Sequence, residues 1–513
     1  MKQNSFLVFI AAAISVSVFF HFSSPNIPDP DSLYHLRHAY LLRTNGIFNT
    51  EFPWTYYSAM RTYGTDLWYG FHLLLLPFTF GGGTIFGIKV AGVFLTSFLL
   101  AVYYSVAKRQ KFVFPAFWPF LFLLAVPNAL FQLLMARPQI LTLGLSIMLL
   151  SILVSGGSFL TIFLLAMAIT FFHISFFWLA PGIAILNLFI RLWQKSDWQK
   201  GFWDFGAVAI GTALGMVLRP EPLSALKLVY IQVVKLLIEK QDALPLLFSR
   251  ELSPLSFSAL VQTAPIFLLL WLVSAVIFSW LSIQANSQKD ISLEQKRFLW
   301  LSGILSLGFL LMTLAVARRS LMFWPAFGAL FIAGTYSFLP YKKINQDLFS
   351  AILLIGILVM APITISQNAL SLARNSMPPD YLREAAEWLK DNSGSGEIIF
   401  NTHWDNFSPL FFWNQKNYYI GGMDPIFQYE YGPELYWKFH HISIDEYGDL
   451  TCGETVCGPS NVEDIYKVLK EDFKARYVFV EKRRNPNLLA FLNLDSRFEK
   501  KFDNGKDYVF LIR

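Results

Sequence analysis

The chain has 513 residues, of which 55% are hydrophobic and only 15% charged, with 51 Phe, a net charge of +6 and a mean hydropathy of +0.45. No soluble globular domain needs that much apolar surface, and nothing in the charge pattern points to a nucleic acid partner. Repeated apolar runs long enough to cross ~30 Å of hydrocarbon predict a polytopic α-helical membrane protein.

The first run, Ser5 to Phe22, follows Lys2 and resembles a signal peptide, but HFSSPNIPDPD offers no small-x-small cleavage site, so it reads as an uncleaved anchor. Residues 23–83 then form a loop too polar to enter lipid. It opens with Asp29-Pro30-Asp31, where the proline fixes φ near −65° and discourages helix at Asp29, predicting a turn with two free carboxylates. Ser32 is a plausible N-cap for a following helix that carries His35, Arg37 and His38. Asp66–Phe80 reads as a short re-entrant or interfacial helix ended by Pro77 and Gly81-Gly82-Gly83.

Ten further spans are predicted at about Thr84–Ala107, Phe112–Leu130, Pro138–Val154, Ser158–His173, Ser175–Leu192, Trp203–Leu218, Ser256–Ile283, Phe298–Val316, Ser320–Leu339 and Leu348–Gln367. With the anchor they make about eleven crossings, which puts the chain ends on opposite sides. Basic clusters at Lys108-Arg109-Lys111, Arg191-Lys195-Lys200, Lys289-Lys296-Arg297 and Lys342-Lys343 then share one face. That face is expected to be cytoplasmic, in a plasma (inner) membrane, with the amino terminus inside.

Asp29, Asp31, His35 and Arg37 fall on the opposite face, together with Arg137, Arg219, Glu221, Arg318 and Arg319. Arginines at span ends against the positive-inside bias either snorkel to headgroups or build a site. Four of them beside an acidic loop favour a site, and a guanidinium fork suits phosphate. His72 and His173 read as hydrogen-bonded packing residues. An amphipathic stretch, LSALKLVYIQVVKLLIEK, lies within Arg219–Pro254 and reads as an interfacial gate or a plain surface helix.

The chain divides near Ser371: residues 1–370 carry the spans and 371–513 lose them. Helix is predicted at Pro379–Asp391 and Val462–Glu471, and strand at Glu397–Phe400, Asn417–Ile420, Arg476–Lys482 and Tyr508–Ile512, hence a small extracytoplasmic α/β domain. Cys452 and Cys457 stand close together there, and an oxidising compartment favours a disulfide over a zinc site.

DPDSLYHLRHAYLLRTNGIF and GTDLWYGFHLLLLPF resemble the first external loop of GT-C class glycosyltransferases, most closely the catalytic subunit of oligosaccharyltransferases. AVARRSLMFWPAFGALFIAG is similar to that family's late span, which begins with an arginine facing the donor pyrophosphate. FNTHWDNFSPLFFWNQKNYYIGGMDP looks like its acceptor-binding region, here with Trp404 and Asp405 but lacking a second Trp and a Gly. A second acidic pair is replaced by Ala136-Arg137-Pro138-Gln139. The flexible-loop glutamate has three candidates, Glu221, Glu239 and Glu251.

The resemblance implies an enzyme that moves a sugar from a polyprenyl phosphate or pyrophosphate to a protein, glycan or lipid acceptor. Asp31 would be base or metal ligand, Asp29 a second carboxylate, and Mg or Mn a possible cofactor on the pair. Arg318 and Arg319 would face the leaving phosphate with Arg137 and Arg219 in support. Two rival readings are a transporter or flippase of lipid-linked substrates and an inactive GT-C-like binding protein.

Overall fold

The computed structural model describes residues 2–239, 249–284, 291–338, 346–446 and 448–513. Lys289, Lys342 and Lys343 lie outside the described residues, and so does the side chain of Glu239. Among the described residues six helices are long and apolar enough to cross a membrane, or nine when each sharply bent pair counts as one span. The eleven expected crossings exceed both counts, because several predicted spans are broken or short. Phe112–Leu130 divides into Phe117–Ala125 and a helix from Pro127, since Pro127 has no N–H to continue the ladder. Phe159–Phe172 has 14 residues, about 21 Å of helix at 1.5 Å per residue, less than the hydrocarbon thickness.

Two bends shape one end of the bundle. Pro127–Leu133 meets Pro138–Val154 at 106°, and Trp198–Val217 meets Pro222–Ile238 at the same angle. Both turns carry a proline at the first position of the next helix and an arginine in the corner, Arg137 and Arg219. The span Arg318–Phe338 is buried over 94% of its window, so it is the axis around which the other helices pack.

The polar loop folds as α-helix over Pro30–Asn45. Asp29 is its N-cap, extended at φ −158° and ψ 130°, and its carboxylate accepts from the Asp31 N–H at 3.1 Å. Ser32 is therefore inside the first turn and not the cap. Gly46, at φ 106°, ends the helix. Tyr69–Leu75 and Leu76–Thr79 form the short helical piece expected before the three glycines.

Residues beyond the long helix Gln346–Asn375 form seven strands: β1 Ile398–Asn401, β2 Tyr418–Tyr419, β3 Leu450–Thr451, β4 Glu463–Asp464, β5 Ala475–Glu481, β6 Phe498–Asp503 and β7 Asp507–Ile512. Five make one sheet in the order β2-β1-β5-β7-β6, parallel across β2-β1-β5 and antiparallel beyond, while β3 and β4 pair separately. Cys452 and Cys457 are joined in a disulfide just after β3.

The polar loop is clasped between helices and sheet. Ile27 exchanges two 2.8 Å backbone bonds with Met377, and the chain at Trp54 and Tyr56 pairs with Tyr419, covering the open edge of β2. One apolar core runs from the spans through Tyr34, Phe52 and Trp68 of the loop to Phe407 and Phe411.

Candidate active site

A cavity of about 680 Å³ opens where the loop, the bent ends of the spans and the sheet domain meet. Asp29 and Asp31 come to its wall from the start of the Pro30–Asn45 helix, Arg137 from the first bend, Glu251 from the turn Arg250–Leu252, and Arg318 and Arg319 from the mouth of the buried span.

Arg137 is the centre of this group. Its Nε donates to Asp29 Oδ2 at 2.9 Å, one terminal nitrogen reaches Asp29 Oδ1 and Asp31 Oδ2, the latter at 2.9 Å, and the other reaches both Glu251 oxygens at 3.1 Å. Every guanidinium nitrogen is thus spent on a carboxylate. Glu251 is shared with Arg319, so a chain of alternating charge links both acidic residues of the loop to Arg319. Ser32 Oγ donates to Asp29 at 3.0 Å and accepts from the Ala136 N–H at 3.1 Å, holding the first bend against the helix start.

Burial, together with Asp29 and Glu251, pushes the Asp31 carboxyl up to about 7 against the pull of Arg137. Burial would also raise Glu251, yet Arg137 and Arg319 hold it down to about 2. One carboxylate is thus poised to titrate near neutrality and the other stays charged. Burial raises Asp424, which reaches the cavity from the sheet domain and accepts from Gln232 at 3.4 Å.

The expected site residues separate into two sets. Asp29, Asp31, His35, Arg137, Arg318, Arg319, Trp404 and Asp405 all line the cavity. Asp405 also accepts from Arg484 at 2.8 Å. Three others do not line it. Arg37 lies over the Phe412 ring at 4.6 Å; Arg219 donates to the Leu67 and Phe171 carbonyls at 3.1 and 2.9 Å, which stitches backbone together; and Glu221 is exposed at a helix start. Asp29 is not free either, since it is 1% exposed and fully engaged.

Of the three candidate glutamates it is Glu251 that joins the group. A separation of 114 residues from Arg137 hides that contact from any local pattern. His173, read as packing, lines the cavity while its Nδ1 meets Thr142 at 3.0 Å. Gln232, with Leu236 and Leu237, brings the amphipathic stretch to the same wall, and Lys235 ties it to Glu430 at 2.6 Å. That stretch is therefore part of the cavity and not a plain surface helix.

A divalent ion on Asp29 and Asp31 does not fit this arrangement. Both Asp29 oxygens are taken by Arg137 and Ser32, and the guanidinium stands where a cation would bridge Asp29, Asp31 and Glu251. An added double charge would face two arginines at close range.

No family model matches the chain, and no curated protein matches it. Among solved structures the chain is similar over its whole length to the arabinofuranosyltransferase AftD from mycobacteria, with a TM-score of 0.58 at 14% identity, and it spans 42% of that protein. The fold is the one that this arabinofuranosyltransferase has over the matched part. At this identity the likeness is one of architecture, and with the apolar helices it makes the chain a polytopic helical membrane protein of that fold.

Proposed function

We propose that the protein is an integral membrane glycosyltransferase that moves a sugar from a polyprenyl phosphate or pyrophosphate to an acceptor hydroxyl on the extracytoplasmic side. The observation that carries this reading is one cavity, at one end of the most buried span, that gathers Asp29, Asp31 and Glu251 with Arg137, Arg318 and Arg319. Arg318 Nε and Arg319 Nε have no hydrogen-bond partner among the described residues, which suits an anion that brings its own acceptors.

A sugar leaving a lipid phosphate passes its electron pair to phosphate oxygen, so fixed positive charge on that side lowers the barrier. Arg318 and Arg319 meet that charge. Asp31, paired with Arg137, faces the reacting carbon and offsets the positive charge that develops on the sugar ring. Trp404 and Asp405, with Asp424, form the acceptor side from the sheet domain. A glycan acceptor fits this mixed polar and aromatic wall; the peptide acceptor of oligosaccharyltransferases has less support, since the second Trp and the Gly of that motif are missing. A transporter reading fits less well, because the charges gather at one end of the spans and not at mid-membrane.

The test is transfer of labelled sugar from polyprenyl-linked donors by purified protein in lipid. Asp31→Asn is expected to lose roughly 10²-fold or more of the rate with folding intact. Retained transfer by that variant removes Asp31 from the reaction.

A further inference from the structure

Behind the cavity wall lies a buried chain of ionisable groups that the proposed reaction leaves unexplained. Asp66, His72 and His35 are each at most 2% exposed. Asp66 Oδ1 accepts from the Trp68 N–H at 2.8 Å and Oδ2 meets His72 Nδ1 at 2.6 Å; His72 Nε2 then meets His35 Nδ1 at 2.8 Å. Trp68 and Phe71 set their rings edge-on to His35 and seal the chain from water. Of these three only His35 lines the cavity.

Hydrogen-bond logic fixes the protons along this line. Asp66 takes the Trp68 N–H on one oxygen and meets His72 with the other, which makes it the charged, accepting end of the line. A relay that receives a proton starts from the neutral His72 ring, in which Nδ1 donates to Asp66 and Nε2 accepts. His35 Nδ1 must then donate, which leaves the lone pair of His35 on Nε2, the ring atom not used by the chain. His35 lies one helical turn after Asp31, on the same face of the Pro30–Asn45 helix. The other charged or titratable groups around it are Tyr34 and His38 on its own helix, Arg137 from the bend and His173 from the neighbouring helix end.

We propose that His35 is the proton acceptor for the incoming hydroxyl, with His72 and Asp66 as the residues that position it and carry the charge away. This rests on the transferase reading above. In the step, the acceptor O–H bond breaks and its proton goes to His35 Nε2. The oxygen forms its bond to the anomeric carbon as the carbon–oxygen bond to phosphate breaks, and that electron pair leaves with the phosphate. Burial disfavours an imidazolium at His35. The Nδ1 proton accordingly passes to His72 Nε2, where the cation sits beside the Asp66 carboxylate. Asp31 keeps its pairing with Arg137, which a proton on Asp31 would weaken.

Two measurements on the full-length protein in lipid decide the matter. Nitrogen-15 NMR of labelled histidine in the resting wild type is expected to show His35 with its proton on Nδ1 and a bare Nε2; a proton on Nε2 overturns the proposal, as does a stoichiometric bound metal shared by His38, Asp66 and His72. In the transfer assay, His35→Gln is expected to lower kcat roughly 10²-fold while donor KM moves less than about threefold. Asp66→Asn, which no longer dictates the His72 tautomer, should lower kcat in the same way and move the His35 proton to Nε2. Tyr34→Phe, outside the chain, should leave kcat within about threefold. Wild-type transfer together with a normal His35→Gln variant sinks the relay alone. Failure of the wild type to use any polyprenyl-linked donor sinks the transferase reading, and the NMR result still decides the tautomer.

Discussion

At the scale of single residues, the two acidic positions of the loop have different jobs. Asp29 is spent on structure, capping a helix and holding Arg137, whereas Asp31 keeps an edge in the cavity and its carboxyl sits at about 7. Because that value lies above the ordinary ~3.9 of Asp, the carboxylate form is present above about pH 7 and lost as the pH falls through it. Transfer is therefore expected to show an acidic limb near pH 7 in kcat/KM, and a limb near 4 would mean that Asp31 does not govern the rate. Glu251, held at about 2, stays charged across the same range, so its links to Arg137 and Arg319 persist while Asp31 titrates. The arginine pair is tested by Arg318→Lys and Arg319→Lys. Lysine keeps the charge but loses the fork, so donor KM or kcat should suffer more at Arg319, whose guanidinium also braces Glu251, than at Arg318. Wild-type behaviour of the double variant would move the phosphate site elsewhere in the cavity.

At the scale of elements, Arg137 is the joint between the loop helix, the first bend and the Arg250–Leu252 turn. Removing one partner of a buried ion pair leaves charge unpaired, so Arg137→Ala is expected to cost roughly 3–5 kcal/mol in unfolding measurements. The same guanidinium excludes a bridging ion, and transfer should survive exhaustive treatment with a chelator; restoration of a lost rate by Mg or Mn would contradict the geometry. Legibility of the sequence follows local pattern here. Alternating or periodic stretches such as those now seen as β1, β5 and β7 fall within a residue or two of their expected limits. By contrast β6, whose FEKKFD mixes charge on both faces, gives no alternation to read, and the strand exists because β7 supplies a partner. Asp29, Asp31 and the arginines at span ends were visible because charge beside lipid is costly. Glu251 was one of three candidate glutamates, and only its distant contacts with Arg137 and Arg319 single it out; the joining of Asp66, His72 and His35 likewise rests on contacts that no local pattern shows. Arg219 and Arg37 drew attention for the same electrostatic reason, yet backbone carbonyls and an aromatic ring satisfy them.

At the scale of the whole molecule, the placement of the cavity sets a requirement on topology. On the proposed reading a polyprenyl chain would stay in the bilayer while its phosphate meets Arg318 and Arg319 at the end of the buried span where the cavity opens, and the sheet domain lines the same cavity through Trp404, Asp405 and Asp424. Loop and sheet domain must therefore share a side, because Ile27 pairs with Met377 and Trp54 with Tyr419. The described basic clusters at Lys108-Arg109-Lys111 and Arg191-Lys195-Lys200 gather at the opposite ends of their helices, which the positive-inside tendency assigns to the cytoplasm. The expectation is that a reporter active only in the cytoplasm works when fused after Arg109 and fails when fused after Arg513, while one active only outside shows the reverse. Activity of the cytoplasmic reporter at Arg513 would put the cavity on the inner face. A donor presented outside the cytoplasm would then have no route to Asp31, and the choice of substrate class would have to begin again from a cytoplasmic, water-soluble donor.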